Sequence, residues 1–247
     1  MAAFLVLPML GLLTRAASTG GLTEALGRPI VVDALRLSVV TSLLVLLLSL
    51  TLGSPLALRL ARRRGVAVGL LDNLIDLPIV LPPAVAGLAL LLTLGRRGLL
   101  GGLLAAMGIE LPFSTAAVVL AALFVAAPFY VRAARAGFLA VPRELEEAAR
   151  VEGASEWQVF SRVTTPIALP SLLGGAVLCW ARALGEFGAT IMFAGSFEGR
   201  TQTMPLAIYA ALESDPDAAV GLSVLLLATS LGLLVVFRRG LSAATDQ

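Results

Sequence analysis

Long uncharged apolar runs alternate with short arginine-bearing segments along most of this chain. A helix needs about 20 apolar residues to cross a hydrocarbon core of roughly 30 Å. Five runs meet that requirement: Leu37 to Leu58, Leu77 to Leu94, Leu111 to Val131, Val163 to Ala181 with an extension past Arg182 and Glu186, and Ala218 to Phe237. A sixth, Met1 to Thr14 and extensible past Arg15, is shorter, and Ala16, Ala17 and Ser18 after it resemble a signal-peptide cleavage site. It lacks a basic leading segment, which favours a retained helix. The pattern predicts an all-α integral membrane protein of about six transmembrane helices.

Arginine placement orients these spans, because short cytoplasmic loops hold the excess of positive charge. With the N-terminus inside, eleven arginines fall in cytoplasmic segments (Arg59, Arg62, Arg63, Arg64, Arg132, Arg135, Arg143, Arg150, Arg162, Arg238 and Arg239). Six fall outside (Arg15, Arg28, Arg36, Arg96, Arg97 and Arg200), and Arg182 lies in a span. Both termini are therefore expected in the cytoplasm. Residues 1–33 read as an N-terminal helix with its outer loop, 34–239 as one membrane domain and 240–247 as a cytoplasmic tail.

Composition narrows the chemistry. The 247 residues are 58% hydrophobic and only 14% charged, against roughly 25% charged in soluble domains, so the excess apolar surface must face lipid. All 18 basic residues are arginine, histidine is absent and Cys179 is the single cysteine. A phosphate-binding loop lacks its lysine, and zinc sites and Ser/His or Cys/His pairs lack their ligands. The chain is thus expected to be no enzyme and to bind no metal. A net charge of +2 without a basic stripe makes nucleic acid a poor partner.

Two spans carry unusual residues. Pro78, Pro82 and Pro83 should kink or break the third span near its cytoplasmic half, as a packing kink or a gate beside a cavity. Arg182 and Glu186, four apart in the fifth span, can pair with each other. An intramembrane charge costs at least about 2.5–3.5 kcal/mol on insertion scales, so both should face the bundle interior or a wet path. They could attract an anion or simply fix packing, with Thr190, Thr201, Gln202 and Thr203 as neutral donors nearby.

The longest cytoplasmic loop, Val141 to Pro166, has a clear local code. Pro142 suits a first helical turn, and Glu144, Glu146 and Glu147 place negative charge at its positive end. Leu145, Ala148, Ala149 and Glu152 share one slim face that can lie against another protein. Gly153 can end the helix in the left-handed conformation. Ser155 and Gln158 form a capping box for a second short helix whose Trp157 and Phe160 share a face, and Pro166 is expected to end it. Two readings stay open at this level: docking to a partner, or a helix lying in the headgroup region with Trp157 as anchor.

Glu147-Ala148-Ala149, three residues, Gly153, nine residues and Val163-Thr164-Thr165-Pro166 resemble the EAA loop of ABC importer permeases. Val163 stands for the family's isoleucine, and Thr165 replaces the apolar residue before the proline. Leu77 to Pro83, Ala181 to Thr190 and Phe193 to Tyr209 are similar to the molybdate branch, and sulfate and tungstate permeases share parts of these stretches. The resemblance implies the type I ABC importer permease fold and a coupling loop, Glu144, Glu147, Ala148, Ala149, Gly153, Trp157, Phe160 and Pro166, seated in a groove of an ATPase subunit. It further implies a second copy of the permease and an extracytoplasmic oxyanion-binding protein in a prokaryotic plasma membrane. ATP and Mg would be used by the ATPase, with no cofactor on this chain. A membrane-embedded enzyme, or a channel or carrier that works without nucleotide, would leave that loop unexplained.

Overall fold

The computed structural model describes residues 1–19, 29–63 and 65–245, without side chains for residues 2, 5, 19, 29 and 236–245. Among the orienting arginines, Arg28 and Arg64 and the side chains of Arg238 and Arg239 lie outside the described residues. The described chain is all helical: α1 Ala2–Thr19, α2 Pro29–Arg62, α3 Val66–Val80, α4 Pro83–Leu94, α5 Gly101–Ala106, α6 Thr115–Leu139, α7 Arg143–Val151, α8 Glu156–Leu184, α9 Gly188–Ala194, α10 Met204–Ser214 and α11 Pro216–Thr245.

By length and hydropathy, α2, α6, α8 and α11 can each cross a bilayer, and α3 with α4 forms one bent pair. Among the described residues that makes four long apolar helices, or five with the bent pair, and α1 adds a shorter apolar helix of 18 residues. The core lies where α2, α6 and α8 pack. Tyr130, Phe138, Cys179 and Trp180 are fully buried there among alanines and valines. Small residues bring the helices close: a Cβ on Gly175 would lie 2.5 Å from the Ala133 side chain. Serines on α2 satisfy buried donors, with the Trp180 indole N–H donating to Ser42 Oγ at 3.2 Å and the Met204 amide to Ser38 Oγ at 2.7 Å.

The third span is neither straight nor confined to Leu77–Leu94. Helix begins at Val66, and α3 and α4 are bent by 117° across Leu81 and Pro82. Leu81 and Pro82 are both extended, with ψ 133°. Two consecutive prolines remove two backbone donors and bar Leu81 from the helical region, so the break falls there. Pro78 stays inside α3 and is buried.

The fifth span also differs. Pro166 does not end the second loop helix: Glu156–Leu184 is one continuous helix with a π turn over Phe160–Thr164. The Thr165 amide reaches back to Phe160 O, five residues away. Widening the turn there accommodates a ring that would otherwise crowd the carbonyl four residues back. At its far end α8 stops at Leu184, so Glu186 lies beyond the helix, before the short α9. Arg15 near the end of α1 pairs with Asp217 at the start of α11 at 2.8 Å, tying the two helices together.

Candidate functional site

The loop between α6 and α8 is built as a rigid bracket. Glu144 and Glu146 occupy the first turn of α7. Gly153 turns the chain at φ +90°, where a side chain is strained. The Ser155 hydroxyl accepts the Gln158 amide at 3.3 Å while the Gln158 side chain accepts the Ser155 amide at 2.8 Å, closing the capping box. Arg150 of α7 donates twice to Glu156 of α8, at 2.7 and 3.1 Å, stitching the two helices together. This bond to Glu156 holds the Arg150 guanidinium pKa above its ordinary value.

One anchor was not anticipated from sequence. Glu146, grouped there with the dipole-facing acids, is buried and ion-pairs with Arg62 at the end of α2, and the Thr164 hydroxyl donates to the same carboxylate oxygen at 2.6 Å. Helical spacing sets Glu146 beside the face of Leu145, Ala148, Ala149 and Glu152, and Glu147 opposite it, yet Glu147 is exposed, so periodicity alone did not mark Glu146 as the buried anchor. Those four, with Glu144 and Glu147, stand toward solvent, Ala149 half-buried. A cleft of about 450 Å³ opens between α2, α7 and α8, lined by Arg62, Arg143, Glu147 and Phe160 among others.

Trp157 and Phe160 do touch, ring centroids 5.8 Å apart, but they do not offer a joint surface. Phe160 turns in against Phe138 at 6.4 Å, leaving Trp157, 71% exposed, as the projecting aromatic. Pro166 is exposed on the membrane side of the π turn.

At the opposite end of α8, Arg182 Nη1 lies 2.6 Å from Glu186 Oε2. Glu186 is buried, and its other oxygen accepts the Ala189 amide at 2.8 Å, so it caps α9 as well as facing Arg182. Thr190, the residue after Ala189 in the first turn of α9, is buried as well. The proline break meets this region directly. A Cβ on Gly87 of α4 would lie 2.5 Å from the Ala189 carbonyl oxygen, and one on Gly188 would lie 2.9 Å from Pro83. Pro82 and Pro83, Arg182, Glu186 and Thr190 therefore belong to one neighbourhood, while Pro78 lies in the other arm of the bend. Thr201, Gln202 and Thr203 are buried, and the first two serve their own loop: Thr201 Oγ1 accepts the Phe197 amide at 2.9 Å and Gln202 Nε2 donates to Ser196 Oγ at 3.2 Å.

Residues 49–241 match the family described as the binding-protein-dependent transport system inner membrane component. The chain belongs to that family. It is 51% identical over 193 residues to the molybdenum transport system permease protein ModB of Mycobacterium bovis, covering 78% of this chain and 73% of that protein. The Escherichia coli K12 protein of the same description is 43% identical over 183 residues, 74% of this chain and 80% of the relative. A chain in the crystal structure of a bacterial alginate ABC transporter superposes with a TM-score of 0.75 over 95% of this chain and 87% of its own length. At 17% identity that likeness speaks for the fold alone, which is the type I ABC importer permease fold. As a permease of this family the chain is a transport subunit, not an enzyme, and a multi-pass membrane protein.

Proposed function

We propose that this chain is the membrane-spanning subunit of a molybdate importer, working by alternating access with a separate ABC ATPase, a second copy of itself and an extracytoplasmic oxyanion-binding protein. The observation that carries the reading is the 51% identity to a molybdenum permease over 193 residues, 78% of this chain. The bracket of Glu144, Glu147, Ala148, Ala149, Gly153, Trp157, Phe160 and Pro166 is the element on which the ATPase acts. It lies in the cytoplasm with both termini, in a prokaryotic plasma membrane. The chain binds no cofactor, and ATP and Mg are used by the ATPase.

ATP binding draws the two brackets together and opens the paired bundles outward; hydrolysis restores the inward-open state. Arg182, Glu186 and Thr190 line the anion's route beside the broken helix at Pro82 and Pro83. Arg182 supplies the attraction for a dianion, and Glu186 keeps that attraction weak enough for release. A deep well in the path would slow transport.

Uptake of labelled molybdate in cells with and without this chain and its ATPase tests the reading. Accumulation requires both, and excess tungstate or sulfate reports by competition which oxyanions share the route. Accumulation that persists without the ATPase overturns it. Arg182→Gln lowers uptake while the complex still assembles; normal uptake in that variant removes Arg182 from the path.

A further inference from the structure

A second charged cluster lies on the side of the docking bracket, outside everything used above. Arg132 of α6 makes a two-pronged ion pair with Asp76 of α3, donates to Asp72 Oδ1 at 3.1 Å and reaches the Asp72 carbonyl at 3.4 Å. Arg135, one turn on, adds a longer ion pair to Asp72 at 3.6 Å. Arg132 and Arg135 stand three apart on α6, and Asp72 and Asp76 four apart on α3, so each pair presents one helical face to the other. Two cations and two anions leave the cluster neutral. No oxyanion is invited to stay there.

The cluster matters because of what else holds α3. Val68 and Ile75 lean on the core and Pro78 is buried, but Leu70, Leu71, Leu74 and Leu77 are exposed, as is Val80 at 81%. The charge-assisted bonds to α6 are therefore a main tie between this arm of the broken helix and the bundle. Beyond Arg135, α6 runs only to Leu139 before the chain turns into α7, the first helix of the bracket. The other end of α3 meets the break at Leu81 and Pro82. One latch thus links the element that docks the ATPase to the element that bends beside Arg182 and Glu186.

We propose that Arg132, with Asp72 and Asp76, is a positioning latch that makes α3 move with the cytoplasmic end of α6, so that displacement of the bracket is delivered to the proline break. The proposal rests on the transporter reading. It assigns these three residues no contact with the transported anion.

The test uses the complete complex in proteoliposomes, with molybdate as the probe, and measures anion carried per ATP hydrolysed. The wild-type complex decides the underlying reading: without ATP-driven molybdate uptake that reading fails by itself. Given wild-type uptake, Asp76→Asn and Arg132→Gln each lower the ratio by about tenfold, within the usual span of coupling between two sites, while ATP hydrolysis continues. The exchange Asp76→Arg with Arg132→Asp restores part of it. An unchanged ratio in both single variants overturns the latch.

A distance measurement keeps the proposal testable where a variant fails to assemble. With buried Cys179 replaced by serine, spin labels at exposed Leu70 and Leu139 hold one separation with and without ATP, whereas labels at Leu70 and Leu92, across the break, change theirs. A Leu70 to Leu139 separation that shifts with nucleotide overturns the latch equally.

Discussion

Two ion pairs show how unequal similar contacts are. Arg96 and Glu110 are both largely exposed, and exposed pairs are worth about 0–1 kcal/mol. Arg96→Ala therefore leaves the thermal midpoint in detergent almost unchanged. Glu146 is buried against Arg62 and Thr164, and removing one partner strands the other. Glu146→Ala costs about 2–3 kcal/mol, below the roughly 3–5 of a fully buried pair because Arg62 is partly exposed. It lowers the midpoint and exposes the bracket to proteolysis. Glu146→Gln can keep the Thr164 bond and loses less. At Gly153 the φ of +90° makes Gly153→Val cost about 1–2 kcal/mol locally. In that variant the spans stay inserted while ATP hydrolysis runs with little uptake, a loss read from the same proteoliposome ratio.

At the scale of elements, apolar runs located the long helices because lipid imposes one simple rule on them. The loop code of Gly153, Ser155 and Gln158 was equally legible, being written in local hydrogen bonds. What could not be read was tertiary. Nothing in the sequence says that Pro166 is absorbed by a π turn rather than ending a helix, that Phe160 turns inward to Phe138, or that Asp72 and Asp76 face Arg132. Those arginines entered the sequence reading only as orientation markers, since the partner helix is more than fifty residues away. The Arg182 to Glu186 spacing was legible, but Glu186 as the cap of α9 was not, because the apolar run gave no sign of the stop at Leu184. At the proline break, Gly87→Ala drives a methyl into the Ala189 backbone. Overpacking of that kind costs about 1–3 kcal/mol, so the variant melts earlier and transports less, whereas Gly174→Ala, where a Cβ meets open space, does neither.

Over the whole molecule, the division of labour follows from residue types. A chain with arginine as its only basic side chain and no histidine has no lysine for a phosphate-binding loop, and under the proposed function its own structure is spent on transmitting movement. The transmission is short: bracket, end of α6, α3, break. The glycine-tight contact between α4 and α9 then decides how many independent motions remain beyond the break. Two loosely packed segments could each find their own position, and a push on one would be dissipated between them. Backbones in contact behave as meshed gears with no play, so any tilt of α4 turns α9 in step, and the Glu186 cap, held by the Ala189 amide, is carried with it.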